Sequence, residues 1–334
     1  MNSLQSVGKP RELTYLNAIV EAQREEMLRD ERVILIGENI DIYGGSSLFD
    51  TFDEKRLRNV PISENSFTGM GVGAALTGLR PIVDLTIASF VYLASDQIIN
   101  QAAKLRYMTG GQLSVPIVFR ACTYYNICNA AQHSDRPYPF FMNVPGLKIV
   151  APATPRDMKG LLKAAVRDDD PVLVFEDSNL WTKKEPVPDD PDFLVPIGKA
   201  DVKRIGSDIT LVSIAGCLPR VMLAADALQA DGISAEVIDL RTLVPLDGET
   251  LLTSLAKTGR VVIADNSHRV GSVASEVSAV LSEEGFQYLR APVRRVTTPA
   301  VQIPYSAALE RPLYPNKERI VAAAKSLLQQ DRAR

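Results

Sequence analysis

An α/β fold in two domains, each a mainly parallel sheet flanked by helices, is predicted by three features of the chain. Short apolar, β-rich runs alternate with longer helical patterns. A proline-rich charged stretch interrupts that alternation once, and 334 residues are more than one core usually serves. The first-half strand candidates are Val33–Ile36, Arg80–Leu85, Val115–Arg120, Leu147–Ala151 and Pro171–Glu176. Helical patterns fall between them at Thr14–Arg29, Asn65–Thr77, Ala94–Met108 and Pro155–Val166. Thr154 ahead of Pro155 has the form of an N-cap followed by proline at the first helical position. Strands separated by helices imply a parallel sheet covered on both faces.

The pattern stops from Trp181 to Lys199, where Lys183–Pro191 is charged and proline-rich, as linkers are. It then resumes with strands at Ile209–Ala215, Ser234–Asp239, Arg260–Ala264 and Val293–Thr297. The helices there are expected at Leu218–Gln229, Gly248–Lys257, Ser272–Glu284 and Lys317–Gln329. The expected division is a first domain over 1–185, a linker over 186–200 and a second domain over 201–334.

Composition narrows the function classes. A net charge of −3 gives no reason to expect nucleic acid or an anionic membrane as partner. No run approaches the roughly 20 apolar residues that span a bilayer, and Met1–Arg11 shows no apolar signal region. Cys122, Cys128 and Cys217 are odd in number and lack CxxC spacing, so free thiols in a reducing compartment are expected, with the cytoplasm as the location.

The stretch Val60–Ala75 is the most informative. A short strand is expected to end near Ser63, followed by a helix carrying Gly69, Gly71 and Gly73. Each glycine costs about 1 kcal/mol against alanine in a helix interior, so close packing on another helix or a ligand is expected. The same glycines match GxGxxA. In a dinucleotide fingerprint, however, the first glycine lies directly after the strand, and here Glu64 and Phe67 intervene. By position, Glu64 is a carboxylate in the first helical turn, where the macrodipole stabilises it by about 0.3–1 kcal/mol.

Pro61-Ile62-Ser63-Glu64, then Gly71-Val72-Gly73-Ala74-Ala75 and Gly78-Leu79-Arg80-Pro81-Ile82, resemble the beta subunit of thiamine diphosphate-dependent 2-oxo acid dehydrogenases. Asp96–Lys104, Tyr107–Gly111, Val115–Arg120, Ala131–Ser134, Pro145–Lys148 and Phe193–Ala200 continue the resemblance in order, from about Leu13 to Ala324. That family, of pyruvate, branched-chain 2-oxo acid and acetoin type, is related to transketolase. The resemblance implies a thiamine-diphosphate pyrimidine-binding domain followed by a transketolase C-terminal domain.

It further implies that Glu64 hydrogen-bonds the cofactor's aminopyrimidine. There a carboxyl favours the imino tautomer that deprotonates the thiazolium carbon. Phe90 matches the aromatic position against the pyrimidine, and reads equally as a core phenylalanine. His133 matches the position facing the substrate and the incoming lipoyl group, while by itself it is a structural hydrogen-bonder. His268 has no such match. The chain lacks the Gly-Asp-Gly motif that holds diphosphate and Mg2+. The resemblance assigns that site to an alpha subunit in a heterotetramer of two alpha and two beta chains, with a lipoyl-bearing acyltransferase or carrier protein as the further partner.

The segment Ala121–Met142 departs from the family form: it is bulky and lacks glycine before Gln132-His133-Ser134. Arg136 in it either pairs with a substrate carboxylate or phosphate or is a surface charge beside Asp135. Backbone carbonyls of Ile117, Ala165, Asp168 and Asp170 match a monovalent cation (K+) site of some relatives, and Arg167–Pro171 reads also as a solvated acidic turn. Three functions stay open: the dehydrogenase beta subunit, a split transketolase-like subunit transferring a two-carbon ketol unit, and a non-catalytic assembly or regulatory subunit.

Overall fold

The computed structural model describes residues 10–42 and 45–332; Met1–Lys9 of the stretch read for a signal lie outside them. The chain divides into two compact units, 1–122 with 144–197, and 123–143 with 198–334.

In chain order the first unit holds β1 (Pro10–Thr14), α1 (Tyr15–Arg29), β2 (Val33–Gly37), β3 (Leu57–Asn59), α2 (Glu64–Leu76), β4 (Arg80–Ile87), α3 (Ala103–Met108) and β5 (Val118–Thr123). The short α4 (Tyr138–Phe141) belongs to the second unit. Then come β6 (Lys148–Val150), α5 (Pro155–Arg167), β7 (Val172–Asp177) and β8 (Lys184–Pro188). The sheet runs β6-β7-β5-β4-β2-β3, and β2 pairs in parallel with both β3 and β4. β2 and β7 are buried at every position, as strands covered on both faces must be. Thr14 and Thr154 cap α1 and α5 by accepting from the Asn17 and Asp157 amides, each at 3.1 Å. Between these helices Lys159 is wholly buried, yet it bonds Glu21 at 2.7 Å and Glu25 at 2.8 Å, so its charge is compensated.

Three features of this unit differ from expectation. The 186–200 stretch begins inside β8, which pairs antiparallel with β1 as a separate two-stranded ribbon. Its prolines sit on a ribbon whose other edge needs no partner, the setting in which proline is tolerated. The helix expected over Ala94–Met108 is interrupted by a π-helical stretch over Gln97–Ala102 before α3. The strand expected near Ser63 ends at Asn59.

The second unit holds β9 (Asp201–Arg204), β10 (Ile209–Ser213), α6 (Leu218–Ala230), β11 (Ala235–Asp239), β12 (Thr242–Val244), α7 (Gly248–Thr258), β13 (Val261–His268), α8 (Val273–Glu283), β14 (Arg294–Thr298), α9 (Ala307–Glu310) and α10 (Lys317–Arg332). Its sheet runs β14-β13-β10-β11-β9, parallel except at β9, an antiparallel edge strand. The segment 123–143, expected within the first domain, clusters here. Tyr138, wholly buried, donates to Asp265 at the end of β13 at 3.0 Å, and Tyr125 donates to the Gly216 carbonyl at 3.3 Å.

Candidate active site

In the first unit the site residues gather after the carboxyl ends of β2 and β4, where open parallel sheets bind ligands. Glu64 is the first residue of α2, whose opening turn is closed by the Ser66 and Phe67 amides on the Ser63 carbonyl at 2.8 and 3.0 Å. Its side chain is buried, at 6% exposure. No described residue hydrogen-bonds or ion-pairs its carboxylate. The helix N-terminus offsets part of the burial cost, but an effective penalty of several kcal/mol attends an ion taken out of water.

Two further acids lie close enough to act on one another. Glu38, just past β2, is 4% exposed, and its Oε2 has no hydrogen-bond partner among the described residues. Burial pushes its carboxyl above the usual range, and the charges of Glu64 and Asp84 add to the rise. Asp84 is compensated: Arg120 on β5 donates to it and reaches Glu176 on β7 at 2.8 Å. The Thr86 amide donates to Asp84 Oδ1 at 2.9 Å, and the Thr86 hydroxyl to the Glu38 carbonyl at 3.3 Å. Thr86 is held at φ 56°, a strained value for a β-branched residue, where the β4–β5 register shifts. That irregularity turns the chain into the 88–92 turn carrying the half-buried Phe90.

The glycines of α2 differ in their surroundings. A Cβ on Gly71 would lie 2.5 Å from Val83 on the sheet, so this glycine is required by close packing. One on Gly69 would meet Gln97 at 3.1 Å, whereas one on Gly73 would enter open space. All three lie inside the helix, so the GxGxxA resemblance does not place a phosphate-binding turn here.

The second unit carries His133 and Arg136. His133 is half-buried in the 131–133 turn. Arg136 is not a surface charge: it is 7% exposed, donates from Nε to the Asn266 carbonyl at 3.0 Å and also to the Ser134 carbonyl, and lies over the Tyr314 ring at 5.1 Å. Tyr314 meets Tyr125 edge-on at 5.0 Å, and Arg220 lies over Tyr125 at 5.2 Å. The segment passes through positive φ at Asn126, Cys128 and Ala130. Ala130, at φ 58° and ψ −166°, occupies a region essentially reserved for glycine, at a cost of about 1–3 kcal/mol. The Glu310 carboxylate accepts from the Asn126 amide, from the Cys128 amide at 2.8 Å and from the Tyr314 hydroxyl at 3.1 Å. Burial, opposed by Arg136 and aided by Glu310, pushes the Tyr314 phenol up to about 12.

At the expected cation turn, the Ile117 carbonyl accepts from Val172 at 3.0 Å and that of Ala165 from Asp168 at 3.2 Å. The Asp168 carbonyl accepts from Arg80 at 2.9 Å, and Arg80 also pairs with Asp169. Lys148 bonds the Asp168 carboxylate at 2.7 Å, and Arg106 pairs with Asp170. The acidic turn is therefore ion-paired rather than merely solvated, and three cationic side chains already serve it.

Sequence reasoning passed over Glu38, Asp84 with Arg120, and Glu310. An acid directly after the buried β2 is a readable signal. The approach of Glu310 to residues 126–128 leaves none, because about 180 residues separate them.

Residues 11–183 match the pyrimidine-binding domain of transketolase and residues 198–320 its C-terminal domain. The chain is 43% identical over 322 residues to the 2-oxoisovalerate dehydrogenase subunit beta of Bacillus subtilis (strain 168), covering 94% of this chain and 98% of that one. It belongs to the beta-subunit family of thiamine diphosphate-dependent 2-oxo acid dehydrogenases. Within this beta-subunit family it is also 40% identical to the acetoin:2,6-dichlorophenolindophenol oxidoreductase subunit beta of the same organism, over 95% and 98% of the two chains. It is 42% identical to the pyruvate dehydrogenase E1 component subunit beta of Rhizobium meliloti (strain 1021), over 94% and 70%. A solved split-gene transketolase, described as an inactive β4 tetramer, superposes with a TM-score of 0.78 at 24% identity over 95% of this chain and 98% of that one, a likeness of fold.

Proposed function

We propose that this chain is the beta subunit of a thiamine diphosphate-dependent 2-oxo acid dehydrogenase which, with an alpha subunit, decarboxylates a 2-oxo acid and passes the acyl unit to a lipoyl group. The buried Glu64 carboxylate carries this reading. A carboxylate lacking hydrogen-bond and ion-pair partners among the described residues fits a heteroaromatic ring nitrogen that would complete its bonding. When bound, thiamine diphosphate would supply an acidic thiazolium carbon able to act as nucleophile and electron sink toward a 2-oxo acid. Glu64 would hold a proton at the pyrimidine ring nitrogen, and Phe90 would offer an aromatic face to that ring. Asp84, Arg120 and Glu176 keep the floor beneath Glu38 rigid and charge-balanced. His133 moves or holds a proton at its imidazole as the acyl unit leaves.

Diphosphate and Mg2+ are assigned to the alpha subunit, in a heterotetramer of two alpha and two beta chains, with a lipoyl-bearing acyltransferase or carrier protein as acceptor. The open face at Gly73 supports a close helix contact in that assembly. Cys122, Cys128 and Cys217, none of them in a disulfide, support a reducing compartment, the cytoplasm. Among the described residues no helix is long and apolar enough to cross a membrane.

Relatives named for three different donors differ from this chain to nearly the same degree, so the donor choice is assigned to the divergent 121–142 segment. There Arg136 has its guanidinium engaged by protein carbonyls, and a direct contact with substrate falls to its remaining donors. A potassium ion at the carbonyls of Ile117, Ala165, Asp168 and Asp170 is supported by the turn's shape and opposed by Arg80. An unchanged Tm when choline replaces potassium removes it.

The deciding experiment incubates the chain and its alpha partner separately with labelled pyruvate, labelled 2-oxoisovalerate and a ketose phosphate. Carbon dioxide released from a 2-oxo acid alone is expected. Ketol transfer without carbon dioxide would replace this reading with the split transketolase.

A further inference from the structure

The segment that carries His133 is strained and tied down from a distance. Three residues other than glycine, Asn126, Cys128 and Ala130, take positive φ within five positions, and Ala130 lies three residues before His133. Asparagine tolerates such a conformation, but alanine and cysteine adopt it only where the surroundings impose it. The imposing group is the carboxylate of Glu310, itself 0% exposed. Two alternate backbone amides, of Asn126 and Cys128, converge on it in the manner of an anion-binding nest, and the Tyr314 hydroxyl fixes it from the other side. Beyond the histidine, Arg136 is held by the Asn266 carbonyl and the Tyr314 ring. His133 thus lies between two anchored points, both tied to the same unit.

We propose that Glu310 is a positioning residue of this enzyme: its buried carboxylate holds the 126–130 backbone in its strained path and thereby sets the place of the His133 imidazole. Its catalytic consequence rests on the reading that His133 serves transfer to the lipoyl group. Glutamine at 310 keeps the size of the side chain but presents one acceptor and an NH2 group to two converging amides, so one amide loses its partner. Ala130→Gly removes the strain that the carboxylate restrains.

The test assembles Glu310→Gln, His133→Ala and the double variant with the alpha partner. Decarboxylation is followed with an artificial electron acceptor and acyl transfer with a lipoyl domain. Glu310→Gln is expected to slow lipoyl acylation about ten-fold or more while decarboxylation stays within about three-fold. It is expected to have no further effect in the His133→Ala background, because coupled residues are not additive. Adding Ala130→Gly should restore part of the loss. Amide exchange over 126–133 should quicken in Glu310→Gln alone. Equal slowing of both reactions, additivity with His133→Ala, or unchanged exchange over 126–133 would each overturn the proposal. Exchange is read without turnover. If the assembly neither decarboxylates a 2-oxo acid nor acylates a lipoyl group, the functional reading fails on its own, and exchange still decides whether Glu310 holds the segment.

Discussion

The surroundings of Glu64 and those of His133, the two side chains we assign to the chemistry, hold them in place by opposite means. Glu64 begins a regular helix, Glu38 directly follows β2, and Asp84 lies on the adjacent parallel β4 beside Gly37. Backbone hydrogen bonds therefore place it; of the acids nearby, Asp84 is charge-balanced by Arg120, which also reaches Glu176, whereas burial and its acidic neighbours keep the Glu38 carboxyl raised. His133 stands in an irregular segment with little ladder support, and its place depends on side chains such as Glu310 and Tyr314, far along the chain. The first arrangement stores its cost in buried charge, the second in backbone strain. A site built on secondary structure should lose activity without losing stability when its acid is changed. A site built on a strained segment should respond to changes in backbone freedom.

The largest expected effect tests the first half. Glu64→Gln is expected to lower turnover of the assembled enzyme about a hundred-fold or more, with the Tm of the isolated chain unchanged or raised, since a buried carboxylate becomes neutral. Turnover within ten-fold of the parent would instead favour a non-catalytic subunit. Next is a contrast within α2. Gly71→Ala drives a Cβ against Val83 and is expected to cost about 1–3 kcal/mol by denaturant unfolding. Gly73→Ala, facing open space, should stabilise the isolated chain by about 1 kcal/mol and weaken assembly with the alpha subunit, measured by ultracentrifugation. If Gly73→Ala assembles normally, that face is not the partner contact.

A smaller effect tests the strained half. Ala130→Gly alone is expected to stabilise by about 1 kcal/mol, the balance of about 1–3 kcal/mol of strain relieved and about 0.4–1 kcal/mol of extra freedom in the unfolded chain. A loss of stability would mean that Ala130 is not strained. The smallest concerns acid. Burial raises the Asp170 carboxyl, but bonds from Arg106 and Lys148 outweigh it and leave the group below the usual range. A depressed carboxylate contributes stability that is complete above its unfolded value, about 3.9, and is lost as pH falls through the folded value. Asp170→Asn should therefore lower Tm at neutral pH and flatten its fall below about pH 4, read by thermal melts.

The order of strands and helices was legible in the sequence because parallel strands buried on both faces are continuous apolar runs, as Val33–Gly37 and Val172–Asp177 are. The Thr154–Pro155 cap and the place of Glu64 at a helix start were legible because each depends on residues within one turn of chain. What escaped depends on contacts between distant residues. The 184–188 strand reads as a linker because its charges and prolines suit one, and only pairing with residues 10–14 makes it a strand. Burial of Arg136, and the gathering of the 123–143 segment onto the second unit, rest on Asn266, Asp265, Glu310 and Tyr314. Local sequence specifies periodicity, caps and the residue types a reaction needs. Tertiary structure alone decided which charges are buried, which are compensated and which stretch of backbone is held against its own preference, because those depend on neighbours that meet only when the chain has folded.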